Sequence, residues 1–115
     1  MIYDIDHQLT VQPVEPDQEQ SLVLRITGNL AGENAHLLKR AAEPVLISPS
    51  PPKIRLLMDG VKYIDSTGVG VIISIIRQLR DRGGILEING LNETGLNLFH
   101  VLNLSNLECL VIQEI

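Results

Sequence analysis

A chain of 115 residues with a formal net charge of −5 has the size of one domain and lacks the clustered Lys and Arg that phosphate contacts need, which argues against nucleic acid as a partner. Leu, Ile, Val and Ala supply nearly all of its apolar content, and Tyr3, Tyr63 and Phe99 are the only aromatics, so it offers no platform for stacking bases. One cysteine, Cys109, excludes an internal disulfide and a Cys-based zinc site; it is expected as a buried thiol in a reducing compartment.

The chain opens with Asp4 and Asp6 where a secretory signal needs basic residues, and its longest apolar run, Val69 to Ile76, is far too short to span a bilayer. A cytoplasmic protein with no direct membrane insertion is expected. Leu9 to Val14 alternates apolar with polar, and Leu22 to Ile26 does so less strictly; the polar stretch Glu15 to Gln20 joins them as a hairpin. From Asn34, the expected cap, the spacing becomes helical, with Leu37, Leu38, Ala41, Ala42 and Val45 on one stripe, and Pro44 should end or kink that helix. Ser48 to Pro52 reads as a stiff exposed connector rather than a domain boundary.

Ile54 to Met58 is apolar apart from Arg55, the signature of a strand covered on both faces. A second helix is predicted from near Ser66 to about Arg82, with Val69, Ile72, Ile73, Ile76 and Leu79 as its core stripe and Gly83-Gly84 as its stop. Arg77, Arg80 and Arg82, interrupted by Asp81, read as a solvated helix end. Ile85 to Ile88 is a strand, and Asn92 caps a third helix whose Leu96, Phe99 and Leu102 face inward and whose end Asn103 closes in the left-handed conformation. Leu107 to Ile112 is the last strand. The order predicts an α/β fold: a mixed sheet of about five strands with crossover helices packed against it, and no internal repeat.

The segment Met58-Asp59-Gly60-Val61-Lys62-Tyr63-Ile64-Asp65-Ser66-Thr67-Gly68-Val69-Gly70 carries small and polar residues between a strand and a helix. Ile73 stands where a dinucleotide fingerprint needs its third glycine, and no Gly-Lys-Ser or Gly-Lys-Thr marks a phosphate loop. Ile64 replaces the first glycine of a nucleophile elbow, Asp65 lies one residue too far from Gly68 for an aspartic-protease loop, and no His or Lys base can be assigned beside Ser66. His7, His36 and His100 are too dispersed for a metal site. No catalytic residue and no cofactor are expected.

By local chemistry alone, Ser66 at a helix start reads as an ordinary N-cap. Two features point instead to a docking surface. Gly68 and Gly70 each cost about 1 kcal/mol in the first helical turn, as though another backbone approaches closely. Val71 and Ile75 fall off the core stripe, beside the face carrying Gly70, Ser74 and Arg77, where they would form an apolar patch. A helix N-terminus also tolerates phosphate, and a phosphate on Ser66 would add about −1.5 to −2 charge beside Asp65 and Asp59.

Tyr63-Ile64-Asp65-Ser66-Thr67-Gly68-Val69-Gly70-Val71-Ile72 closely resembles the signature of STAS domains of the anti-sigma factor antagonist type. Gly28-Asn29-Leu30, Arg82-Gly83-Gly84 and Leu98-Phe99-His100-Val101-Leu102-Asn103-Leu104 fall at that family's spacing, so the resemblance covers roughly residues 9 to 112 and implies one STAS-like domain over residues 1–115. It implies a non-enzymatic switch: Ser66 phosphorylated by a partner that is both anti-sigma factor and serine kinase, a PP2C-like phosphatase reversing it, and partner contacts through Asp65, Ser66, Thr67, Gly68, Gly70, Val71, Ser74 and Ile75. Ala31 replaces the family's usual Asp, the connector at Ser48 to Pro52 is longer than usual, and the residues after Ile112 leave no room for a C-terminal helix. The alternative role is a constitutive STAS subunit of a signalling scaffold or membrane transport complex.

Overall fold

A computed structural model describes residues 9–14, 21–47, 52–103 and 110–113. Five strands form one sheet in the order β1 (Leu9–Val14), β2 (Leu22–Leu30), β3 (Lys53–Ile64), β4 (Ile85–Asn89) and β5 (Leu110–Gln113). The β1/β2 pair is antiparallel, as the hairpin pattern requires, and every later pair is parallel. Parallel neighbours need a crossover, supplied by α1 (His36–Leu46), α2 (Ser66–Asp81) and α3 (Glu93–Val101). The predicted mixed sheet with crossover helices is therefore the observed one.

Strand alternation decides where the core sits. Leu24 and Ile26 on β2, Ile54, Leu56 and Met58 on β3, and Leu86 and Ile88 on β4 are fully buried in one cluster with Leu38, Ala42, Ile72, Ile76, Leu79 and Phe99 from the helices. Burial on both faces of β3 is not observed: Lys53, Arg55 and Leu57 point the other way and are only half-buried. There Arg55 Nε donates to a carboxylate oxygen of Glu87, its register neighbour on β4. The polar break in the apolar run is thus half of an ion pair between central strands.

Two helix expectations are corrected and a third, on Pro44, is narrowed. Asn34 does not cap α1; after β2 the chain passes through a 3₁₀ turn, Gly32–Ala35, and the α-helix begins only at His36. Leu37 flanks the stripe of Leu38, Ala42 and Leu46 and is exposed. Pro44 lies inside α1, which continues to Leu46. Burial of Leu46 and an Arg82 guanidinium donating to the Leu46 carbonyl hold that last turn together.

Other expectations hold. Gly83, at φ +71, ends α2, and the Gly84 N–H returns to the Leu79 carbonyl at 2.7 Å. Asn92 caps α3 by accepting from the Gly95 N–H at 2.8 Å, and Asn103 is left-handed at φ 62. Leu102, expected inward, is 43% exposed, because α3 ends at Val101 and Leu102 lies beyond its packed turns. The turn at Glu15 to Gln20, the connector at 48–51, His7, Cys109 and residues 107–109 of the last predicted strand lie outside the described residues. Among the described residues no helix is long and apolar enough to cross a membrane.

Candidate functional site

β3 outruns its neighbour β4. Pairing between them stops at Leu57↔Asn89, whereas β2 follows β3 to Leu30↔Ile64, so Gly60–Ile64 extends beyond β4 as a ribbon that pairs with β2 alone, while Thr27 and Gly28 of β2 still pair with β1 on their other side. Register shifts between Arg25 and Thr27 and between Gly28 and Asn29 bend this ribbon, and Gly28 takes φ 104. The polar residues Asp59, Gly60 and Lys62 hide this part of the strand in the sequence, where the strand reads as Ile54 to Met58. The ribbon's far end delivers Asp65 to the start of α2, where its backbone N–H donates to the Leu30 carbonyl at 3.3 Å.

Asp65, rather than Ser66, is the N-cap. Its backbone is extended, one carboxylate oxygen accepts the Gly68 N–H at 2.9 Å, and the other accepts the Gly32 N–H at 3.0 Å. The second bond reaches the first N–H of the 3₁₀ turn, whose own cap position, Ala31, has no side chain able to accept. One carboxylate therefore caps two helical starts, reaching at the second a residue 33 positions away in sequence. Its Gly68 bond, opposed by partial desolvation and aided by the Gly32 bond, holds the Asp65 carboxyl below its ordinary value of 3.8.

Because the folded pKa is depressed, this carboxylate stabilises the fold fully above its unfolded value, and that stability is lost as pH falls through the folded pKa. Asn caps a helix about as well as Asp but has one acceptor oxygen, so Asp65→Asn keeps one of the two bonds. The expected result is a stability deficit relative to wild type that is constant above about pH 5 and narrows toward pH 3. Urea unfolding across that range measures it; a deficit unchanged at low pH would show that the charge is not what matters.

Capping by Asp65 leaves the Ser66 hydroxyl outside that role. Ser66 and Thr67 are exposed in the first turn of α2, beside half-buried Asp65. Gly68 is buried, and a Cβ built there would stand 2.1 Å from the Leu30 carbonyl oxygen, which is the close backbone approach its presence implies. Gly70 is exposed and Ser74 half-buried.

Val71 and Ile75 overturn the expected patch, at 5% and 0% exposed. The helix packs on α1 and the 3₁₀ turn as well as on β3 and β4, so its buried arc is wider than a single stripe and includes both residues. Ile73, expected in the core, is half-buried on the opposite flank. There it joins Ile64, Val69, Gly70, Leu98 and Leu102 around an apolar groove of about 350 Å³ that Asp65 and Ser66 also line. The contribution of α3 to this surface had no local signal, since Leu102 reads as a core position and Leu98 stands out only by the family's spacing. On the other side of Asp65, a hollow lined by Asn29, Ala31, Gly32 and Tyr63 sets position 31 against the same carboxylate. His36 and His100 are exposed, and the described residues hold no cluster suited to a metal ion.

The family model described as STAS domain matches residues 12–114. The chain is similar to the anti-sigma-B factor antagonist of Bacillus subtilis (strain 168), 26% identical over 89 residues that cover 77% of this chain and 80% of that protein. Among solved structures it resembles the anti-sigma factor antagonist SpoIIAA in its unphosphorylated form, at a TM-score of 0.73 and 16% identity over 92% of this chain and 89% of that one. It also resembles the Bacillus cell fate determinant SpoIIAA in the phosphorylated form, at a TM-score of 0.71 and 17% identity over 90% of this chain and 91% of that one. At these identities the structural likeness establishes the fold.

Proposed function

Because the chain belongs to the STAS domain family, we propose that it acts as an anti-sigma factor antagonist, a binding protein whose affinity for its partner is switched by phosphorylation of Ser66. With a free hydroxyl at Ser66 it holds an anti-sigma factor that is also a serine kinase; with phosphate there it lets go, and a PP2C-like phosphatase resets it. The observation that carries this reading is the division of labour between neighbours: Asp65 caps α2, so exposed Ser66 can be modified without removing a cap.

Electrostatics support a switch that acts at the surface. The free N–H groups and dipole of α2 favour a phosphate on its first residue, so the fold tolerates it. The adjacent Asp65 carboxylate, ionised at neutral pH, keeps that phosphate from being drawn inward. The added charge then faces whatever is docked on Ser66, Thr67, Gly70 and Ser74. A relative carrying the name anti-sigma-B factor antagonist supports the partner class, and SpoIIAA, a fold neighbour solved in both unphosphorylated and phosphorylated forms, supports tolerance of the modification.

The test is to incubate the chain with its cognate kinase and ATP and locate phosphate by mass spectrometry, while titrating Ser66→Asp and Ser66→Ala against the same partner. We expect phosphate on Ser66, near-wild-type binding by Ser66→Ala, and binding by Ser66→Asp weakened by at least about 10-fold, the scale of one mispaired charge at an interface. No phosphate together with unchanged binding by Ser66→Asp would favour the constitutive assembly subunit instead.

A further inference from the structure

Of the two glycines in the first turns of α2, only one is explained by contacts among the described residues. Gly68 is fixed by the Leu30 carbonyl, whereas a Cβ built on Gly70 meets nothing within 4 Å, and Gly70 is not among the left-handed residues. An alanine Cβ would fit there and favour the helix. Gly70 follows Ser66 by four positions and precedes Ile73 by three, which sets all three on one side of α2. That side forms one wall of the apolar groove closed by Leu98 and Leu102 of the α3 region.

The groove is selective in its chemistry. Ile64, Val69, Ile73, Leu98 and Leu102 offer aliphatic surface, and among the described residues the Asp65 carboxylate is the single charged group that lines it and no cation does. An anionic occupant such as a phosphopeptide or nucleotide is therefore disfavoured. We infer that the groove receives a large aliphatic or aromatic side chain from the protein partner, whose atoms fill the space a side chain at position 70 would take. The inference rests on the partner-switching reading and deepens it. Ser66 stands on the groove's rim, so a phosphate there must lose hydration before an apolar side chain can enter, and release follows from desolvation as well as repulsion.

Two substitutions test this by calorimetric titration of the cognate anti-sigma factor, with Tm measured in parallel. Gly70→Ala should raise Tm by a few degrees, because the helix gains propensity at a site with open space. The same substitution should weaken binding about 10-fold, and Gly70→Met about 100-fold or more, as expected when methylenes are forced into an occupied apolar site. Binding by Gly70→Met equal to wild type would overturn the groove while leaving the Ser66 switch standing. A Tm several degrees lower in Gly70→Ala would also overturn it, showing that the groove is filled by this chain's own residues. If the wild-type chain binds no anti-sigma factor, the switch and the groove fall together.

Discussion

Replacing Gly68 with alanine should lower the unfolding free energy by about 3 kcal/mol, at the upper end of the usual overpacking cost. For a domain of this size that is a drop in Tm on the order of 15 °C. Helix propensity alone predicts the opposite sign, a gain of about 1 kcal/mol, so the experiment separates the two causes cleanly. The added Cβ would lie 2.1 Å from the Leu30 carbonyl oxygen, and the obstacle is backbone at the end of a paired strand rather than the tip of a flexible side chain. To make room, Leu30 must withdraw from α2. That withdrawal breaks the Asp65 N–H to Leu30 bond and pulls the Gly32 N–H from the Asp65 carboxylate. Thermal unfolding reports the loss, and amide exchange at Gly32 and Asp65 should accelerate before the rest of the domain. A Tm at or above wild type would mean that the junction of β2 and α2 is soft, and that the clasp around Ser66 is not held by this contact.

The same contact marks the boundary of what could be read from the residues. That Gly68 implies a close backbone approach follows from the cost of glycine in a helix; that the approaching atom belongs to Leu30 is a tertiary fact. The sheet, its crossover helices and most boundaries followed from alternation and helical period, because burial on one face imposes those periods directly. β3 was read too short, since Asp59, Gly60 and Lys62 belong to a ribbon paired on one side only and need not be apolar. On α2 the error had a different cause. A single core stripe was assumed, but a helix wedged between a sheet and another helix buries a wider arc, which moved Val71 and Ile75 inward and left Ile73 half-buried. The cap went to Ser66 instead of Asp65, although both residue types cap well, because local rules do not contain the second donor, the Gly32 N–H.

Arg55 carries the second large effect. Glu87, its partner on the neighbouring central strand, has a side chain 8% exposed, whereas that of Arg55 is 28% exposed. Register sets Val23 and Val111 on either side of the pair across the sheet, so a carboxylate deprived of its guanidinium would sit between aliphatic neighbours. Arg55→Leu should therefore destabilise by about 3 kcal/mol, the low end for breaking a buried ion pair because water reaches part of the arginine. Glu87→Leu should cost less, since the long Arg55 side chain can swing its charged end into solvent while its stem stays packed. The double substitution to Leu should return close to wild type, as two well-packed aliphatic residues replace a desolvated pair. Urea unfolding of the four proteins yields the coupling directly. Equal costs for the two single variants would contradict the asymmetry of burial from which the order is derived. All four should bind the partner alike, because the pair lies on the face of the sheet opposite the helices and Leu57, two residues on, marks the last β3–β4 pairing before the ribbon leading to Ser66. Such a result would separate stability in the central strands from the switch at the end of β3.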